Sequence, residues 1–103
     1  MIKGTTPTLH YNLPFSTEVI KEAEIVVEYV DSNKKIQIVR KMEDCIVGEN
    51  CISTSLSQEE TIQIPAPSIV HIQLRVLTVD ELVFATEVHN VSVKRLLSEE
   101  VIE

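Results

Sequence analysis

From Ile69 to Thr78 the chain alternates strictly, with Val70, Ile72, Leu74 and Val76 on one parity and His71, Gln73 and Arg75 on the other. Successive side chains of an extended strand point to opposite faces, so this run dictates a strand with one dry and one wet face. Ala23–Val30 repeats the pattern, with Ile25, Val27 and Tyr29 against Glu24 and Glu28, and Lys35–Met42 follows through Ile36, Ile38 and Met42. Between these two lies Asp31-Ser32-Asn33-Lys34, a polar cluster that tolerates left-handed backbone and predicts a hairpin turn. Cys51–Leu56 supplies another strand, with Ile52, Thr54 and Leu56 on one face.

The bias behind these runs is compositional. Val, Ile and Thr number 34 of 103 residues against 3 Ala, and two heavy atoms on Cβ disfavour a helical turn while packing well on a pleat. Thr8–Leu13 alternates Leu9, Tyr11 and Leu13 until Pro14, which predicts an edge strand. Thr17–Lys21 reads as a single turn carrying Val19 and Ile20 into the core. Ser57-Gln58-Glu59-Glu60 has the form of a capping box, enough for one helical turn before a β-like Ile62-Gln63-Ile64. Pro65-Ala66-Pro67 then bars a central strand and predicts a crossing between sheets. Leu82–Leu96 reads as one long strand whose apolar parity changes near His89-Asn90, the mark of a bulge. Strand signals at roughly ten-residue intervals predict an antiparallel, immunoglobulin-like β-sandwich of about seven strands in one domain, 1–103.

Charge narrows the partners. Nine basic and 16 acidic residues give −7, which repels nucleic acid and anionic membrane surfaces, and no stretch is long and apolar enough to span a bilayer. The opening residues carry no apolar leader, which predicts synthesis in a reducing cytoplasm. There Cys45 and Cys51 are expected as two half-buried thiols, although a disulfide across a short hairpin is geometrically open to them. A Cys-x5-Cys pair without further ligands is a poor zinc signature, and no calcium-loop motif is present. No metal and no cofactor are expected.

Catalytic material is thin. With Gly4 and Gly48 as its two glycines, the chain has no G-x-S-x-G elbow and no phosphate-cradling loop. His71 falls on the polar parity of its strand, and His89 with Glu87 forms at most a polar patch beside the bulge. Glu59-Glu60 and Glu99-Glu100 are adjacent pairs that diverge on either a strand or a helix. No catalytic residue is assigned. Four aromatics, Tyr11, Phe15, Tyr29 and Phe84, supply no sugar-binding platform. The basic doublets Arg40-Lys41 and Lys94-Arg95 suit salt links at a protein interface.

The segments Ile2-Lys3-Gly4-Thr5-Thr6-Pro7-Thr8, Leu13-Pro14-Phe15, Leu56-Ser57-Gln58-Glu59-Glu60-Thr61, Val70-His71-Ile72-Gln73-Leu74-Arg75 and Val91-Ser92-Val93-Lys94-Arg95-Leu96-Leu97 occur in that order. The set resembles small proteins of phages and prophages of Gram-positive bacteria, which open with I-[RK]-G-T-T-P-T and close with S-V-x-R-x-L. In layout it is also similar to the immunoglobulin-like N-terminal domains of phage baseplate upper proteins. The resemblance implies a virion structural role in tail, baseplate or head decoration, with other virion proteins as partners, a possible homo-oligomer, and no site residues to transfer. It departs at Val79-Asp80-Glu81-Leu82, where a glycine-containing turn is expected. Interface candidates are Val26 and Val39, which would neighbour one another across a hairpin, Leu9 and Tyr11 on the edge strand, Arg95, and Val101 and Ile102 in an acidic tail that frays or docks. The competing readings are a soluble regulatory or binding module, for a protein or carbohydrate ligand, and a small enzyme.

Overall fold

The computed structural model describes residues 1–97. The chain forms an all-β sandwich of β1 (Thr8–Asn12), β2 (Ile20–Asp31), β3 (Lys34–Lys41), β4 (Ile46–Val47), β5 (Cys51–Ser55), β6 (Ser68–Thr78), β7 (Val83–Ala85) and β8 (His89–Val93), with one short helix, α1 (Gln58–Ile62). One sheet has the order β1-β5-β4; the other runs β3-β2-β6, with β7 and β8 sharing the far side of β6. The candidate Val101 and Ile102 lie outside the described residues.

The alternation read from the sequence sets the core. Ile25, Val27 and Tyr29 of β2 meet Val70, Ile72, Leu74 and Val76 of β6 on the inner face, and Ile52 of β5 with Leu56 and Ile64 closes on them from the other side. Each such burial contributes about 1.5–3 kcal/mol. β2 and β3 join through Ser32 and Asn33, both at positive φ (51° and 66°), and Asp31 pairs with Lys34. That is the two-residue turn whose twist matches paired strands.

Three expectations are corrected. Val19 ends a 3-10 turn, Thr17–Val19, and stays exposed, while Ile20 behind it is buried and already starts β2. Ile62-Gln63-Ile64 is the end of α1 and its exit, not a strand; once the box formed by Ser57 and Glu60 starts a helix, its turn delivers Thr61 to the core, and the exit past the C-cap Gln63 delivers Ile64. The long final strand is broken into β7 and β8; with 62–64 lost as a strand and the short β4 added, the described residues carry eight strands. Three steps along β6, from Ile72 to Arg75, are matched by four on the opposite side, from Ala85 to His89. The extra residue is the bulge that the parity change predicts, placed at Thr86–Val88. Thr86 holds it: its N–H donates to the Leu74 carbonyl at 2.9 Å, and its hydroxyl accepts the Leu74 N–H at 3.1 Å.

The opening and closing segments of the resemblance meet in space. Ile2 bridges Lys94 in parallel, with Lys94 N–H donating to Met1 at 2.8 Å and Lys3 N–H to Lys94 at 3.1 Å. Gly4 sits at φ 77°, where a Cβ would come within 2.7 Å of the Leu96 side chain. The left-handed backbone is what favours glycine at that position of the motif, and a Cβ there would also displace the end of the Leu96 side chain.

Candidate functional site

The outer face of the larger sheet carries most of the arranged charge. Register places Lys41, Glu24 and Arg75 in one row across β3, β2 and β6. Lys41 Nζ lies 2.8 Å and Arg75 Nη2 3.1 Å from the two oxygens of Glu24. The hydrogen bond from Lys41, with both cations' charge, holds Glu24 below the usual carboxylate range, and Lys41 is raised in return. Four residues along β2, Glu28 accepts Gln37 Nε2 at 2.9 Å and has Lys35 Nζ at 3.8 Å. An open groove of about 620 Å³ lies beside the first row, between Lys21, Met42, Leu77 and Val83. A carboxylate clamped between two cations is a weak proton acceptor near neutral pH, so the row orders the face and does not poise a base.

Val26 and Val39 are direct cross-strand partners between these rows, as the sequence predicts, with Val26 half-buried and Val39 40% exposed. Leu9 and Tyr11 are turned inward and half-buried against the core. Their edge strand has its polar residues, Thr8, His10 and Asn12, on the wet side. Burial pushes the Tyr11 phenol up, opposed by Thr86. Arg95 is exposed. Arg40 and Lys41, expected at an interface, are engaged within the fold: Arg40 reaches from the inner face of β3 to Glu60 of α1, and Lys41 to Glu24. Burial alone would raise Glu60; its bonds from Arg40 and the Ser57 N–H outweigh it and hold the carboxylate below its ordinary range.

The histidines do not converge. His10 bonds Asn12 at 3.1 Å, His71 Nδ1 bonds Asn90 at 2.6 Å, and His89 sits edge-on to Tyr11 with centroids 6.0 Å apart. The proposed neighbour Glu87 falls in the bulge, away from the ladder that holds His89. Among the described residues no group of three or more His, Cys, Asp or Glu is placed to hold a metal ion. Cys45 and Cys51 are both half-buried free thiols.

The surface that the sequence reading missed is β7. Val83, Phe84 and Ala85 are all exposed, Val83 by 63% and Phe84 by 48%, and Val79 and Leu82 in the preceding turn are also open. Phe84 leans on Phe15 at 5.7 Å but keeps half its surface in water. The available signal was Leu82-Val83-Phe84-Ala85, four apolar residues without alternation, a pattern that would fit a strand covered on both faces. Here the outer face is open and the inner face is covered in part, by Phe15. No family model, no curated protein and no solved structure matches this chain.

Proposed function

We propose that this chain is an accessory structural protein of a phage particle, acting through protein–protein contacts and not through catalysis. The observation that carries the contact reading is the apolar surface of Val79, Leu82, Val83 and Phe84, left open at one sheet edge. A patch of large apolar side chains on a chain of net charge −7 is costly to keep in water unless something covers it. The virion context comes from the resemblance of the Ile2–Thr8 and Val91–Leu97 segments. The strand order fits the layout of that resemblance: a three-stranded sheet faces a sheet in which a hairpin partner, a central pair and a final strand line up as in immunoglobulin-like sandwiches.

The test is the protein's presence in purified particles of the phage that encodes it. Gradient-purified virions are expected to contain it in fixed stoichiometry by quantitative mass spectrometry, with antibody labelling at one location. Absence from particles, with the protein abundant in infected cells, would overturn the virion reading in favour of a soluble binding or regulatory module.

A further inference from the structure

We propose that copies of this chain join edge to edge, β7 of one copy adding as a strand beside β3 of the next. The proposal deepens the contact reading above by naming its surface and its partner.

The larger sheet has two different edges. β3 carries Lys34, Lys35, Arg40 and Lys41, four of the nine basic residues, around an apolar centre of Ile36, Ile38 and Val39. At the other edge, the far end of β8 is covered by the parallel pairing of residues 1–3, while β7 has no strand on its outer side among the described residues. β7 is uncharged from Leu82 to Thr86 and is bracketed by Asp80 and Glu81 on one side and Glu87 on the other. One edge is thus an apolar strand with cations at both ends, and the other an apolar strand with carboxylates at both ends.

Direction, backbone and side chains agree on one register. Each neighbouring pair in β3-β2-β6-β7 is antiparallel, so β7 runs opposite to β3 and a second copy in the same orientation continues the alternation. Placing Phe84 opposite Ile38 of the next copy sets Val83 against Val39 and Ala85 against Gln37. The same register brings Glu81, in the turn before β7, toward the end of β3 that carries Lys41, and Glu87, in the bulge after it, toward the end that carries Lys35, so opposite charges meet at both ends. Backbone phase matches as well. The Leu82 carbonyl and Thr86 N–H face β6, through bonds to Thr78 and Leu74, so alternation turns the N–H and C=O of Val83 and Ala85 outward. The two-residue turn at Ser32-Asn33 directs Lys34, Ile36 and Ile38 toward β2 and leaves Gln37 and Val39 facing out. The outward groups therefore meet as hydrogen-bonded pairs. Faces match too: Val83 and Val39 lie on the outer side, Phe84 and Ile38 on the inner.

Lys41, Lys35 and Glu81 already hold partners on their own copy in Glu24, Glu28 and Lys21. An ammonium has three donors, so Lys41 can bond Glu24 and a neighbour's Glu81 together, extending the row across the joint. The alternative of β7 pairing with β7 about a two-fold axis at Phe84 would bring the acidic turn at Asp80-Glu81 toward Glu87 of the second copy at both ends, an unfavourable meeting of like charges. A head-to-tail joint instead generates rings or filaments.

The experiment is light scattering with sedimentation across a concentration series on the full chain and on E87K, K35E, the E87K/K35E double variant and A85P, with amide spectra checking the fold of each. The wild type is expected to grow beyond a dimer. E87K and K35E should each weaken association roughly five- to tenfold, and the double variant should recover it. A85P should abolish association, since Pro removes an outward N–H that β6 does not use. A monomer at millimolar concentration, a species that stops at a dimer, or single variants that associate like the wild type would overturn the proposal. So would a folded double variant that fails to recover. Self-association is read without particles, so its failure leaves the virion test untouched, and absence from particles leaves this joint untouched.

Discussion

The Arg40 guanidinium, projecting from the inner face of an edge strand, meets the Glu60 carboxylate at the first turn of α1, and the same carboxylate oxygen accepts the Ser57 N–H at 2.8 Å. One side chain thus completes the cap of the helix and ties it to β3. With about a quarter of each side chain exposed (22% and 26%), the pair stands between exposed pairs, worth ~0–1 kcal/mol, and fully buried ones, where removing a partner costs ~3–5 kcal/mol.

Replacing Arg40 with Met is therefore expected to destabilise the fold by about 2 kcal/mol in urea titrations. E60Q should cost less than E60A, because Gln in that position still accepts the Ser57 N–H. Glu60 is held below its ordinary value when folded, so its contribution is complete above the unfolded carboxylate value and is lost as pH falls through the folded one. In R40M that acid-side loss should shrink. An unchanged pH profile in R40M would show that the ion pair is not what holds Glu60 down.

Glu81 occupies the left-handed region at φ 63°, in the turn where the resemblance leads one to expect glycine. The turn survives because Thr78 accepts the Glu81 N–H at 3.0 Å and its hydroxyl accepts the Leu82 N–H at 3.1 Å, while Lys21 pairs with Glu81 at 3.0 Å. E81G and E81A both lose the ion pair, but only E81A keeps a Cβ in left-handed backbone. E81G should exceed E81A in stability by about 1 kcal/mol in chemical denaturation. Equal stabilities would mean that the turn relaxes to another backbone in E81A.

These two sites mark where the sequence is legible. The dry parity of β2 and β6 and the polar turn at 31–34 follow from side-chain period and turn chemistry, which are local, and so does the capping box at Ser57. Arg40, half of a basic doublet suited to an interface, shares the parity of Ile36 and Ile38; alternation fixes its face of the strand but not the helix that arrives 20 residues later to pair with it. Leu9 and Tyr11 were read as edge residues, and their strand is an edge; which side of it packs depends on the sheet opposite. The open surface of β7 was hidden for the same reason. An apolar run looks buried until the width of the facing sheet is known, and β1-β5-β4 does not cover it.

Thr86 closes the bulge by bonding both backbone groups of Leu74, and Gln73 Nε2 donates to the Thr86 carbonyl at 2.8 Å. Val has nearly the same shape without the hydroxyl, so T86V leaves the Leu74 N–H without its acceptor. The expected cost is about 1–2 kcal/mol, with faster hydrogen exchange at the Leu74 amide. Exchange at Ile25, paired with Leu74 on the other side, should follow global stability only. An unchanged Leu74 rate in T86V would assign the bulge to the backbone alone.

Cys45 and Cys51 lie at opposite ends of the β4–β5 hairpin, since Ile46 faces Ser53 and Val47 faces Ile52. At ~3.3 Å per residue this sets Cys45 beside Thr54, three residues along β5 from Cys51, beyond the ~7 Å limit for a bridge. Their thiols also diverge: Cys45 Sγ donates to the Lys41 carbonyl at 3.3 Å, while Cys51 Sγ lies over Gly48. Burial pushes the Cys45 thiol up, so its thiolate fraction at pH 8 falls below that of a free cysteine. Alkylation of the native protein at that pH should be slower at Cys45 than in urea, and its rate should keep rising as the pH is taken above 9. Intact mass after aerobic purification should correspond to two thiols. A mass lower by about 2 Da, the loss of two hydrogens on bridging, would require the hairpin to shift its register and would overturn this placement of both cysteines.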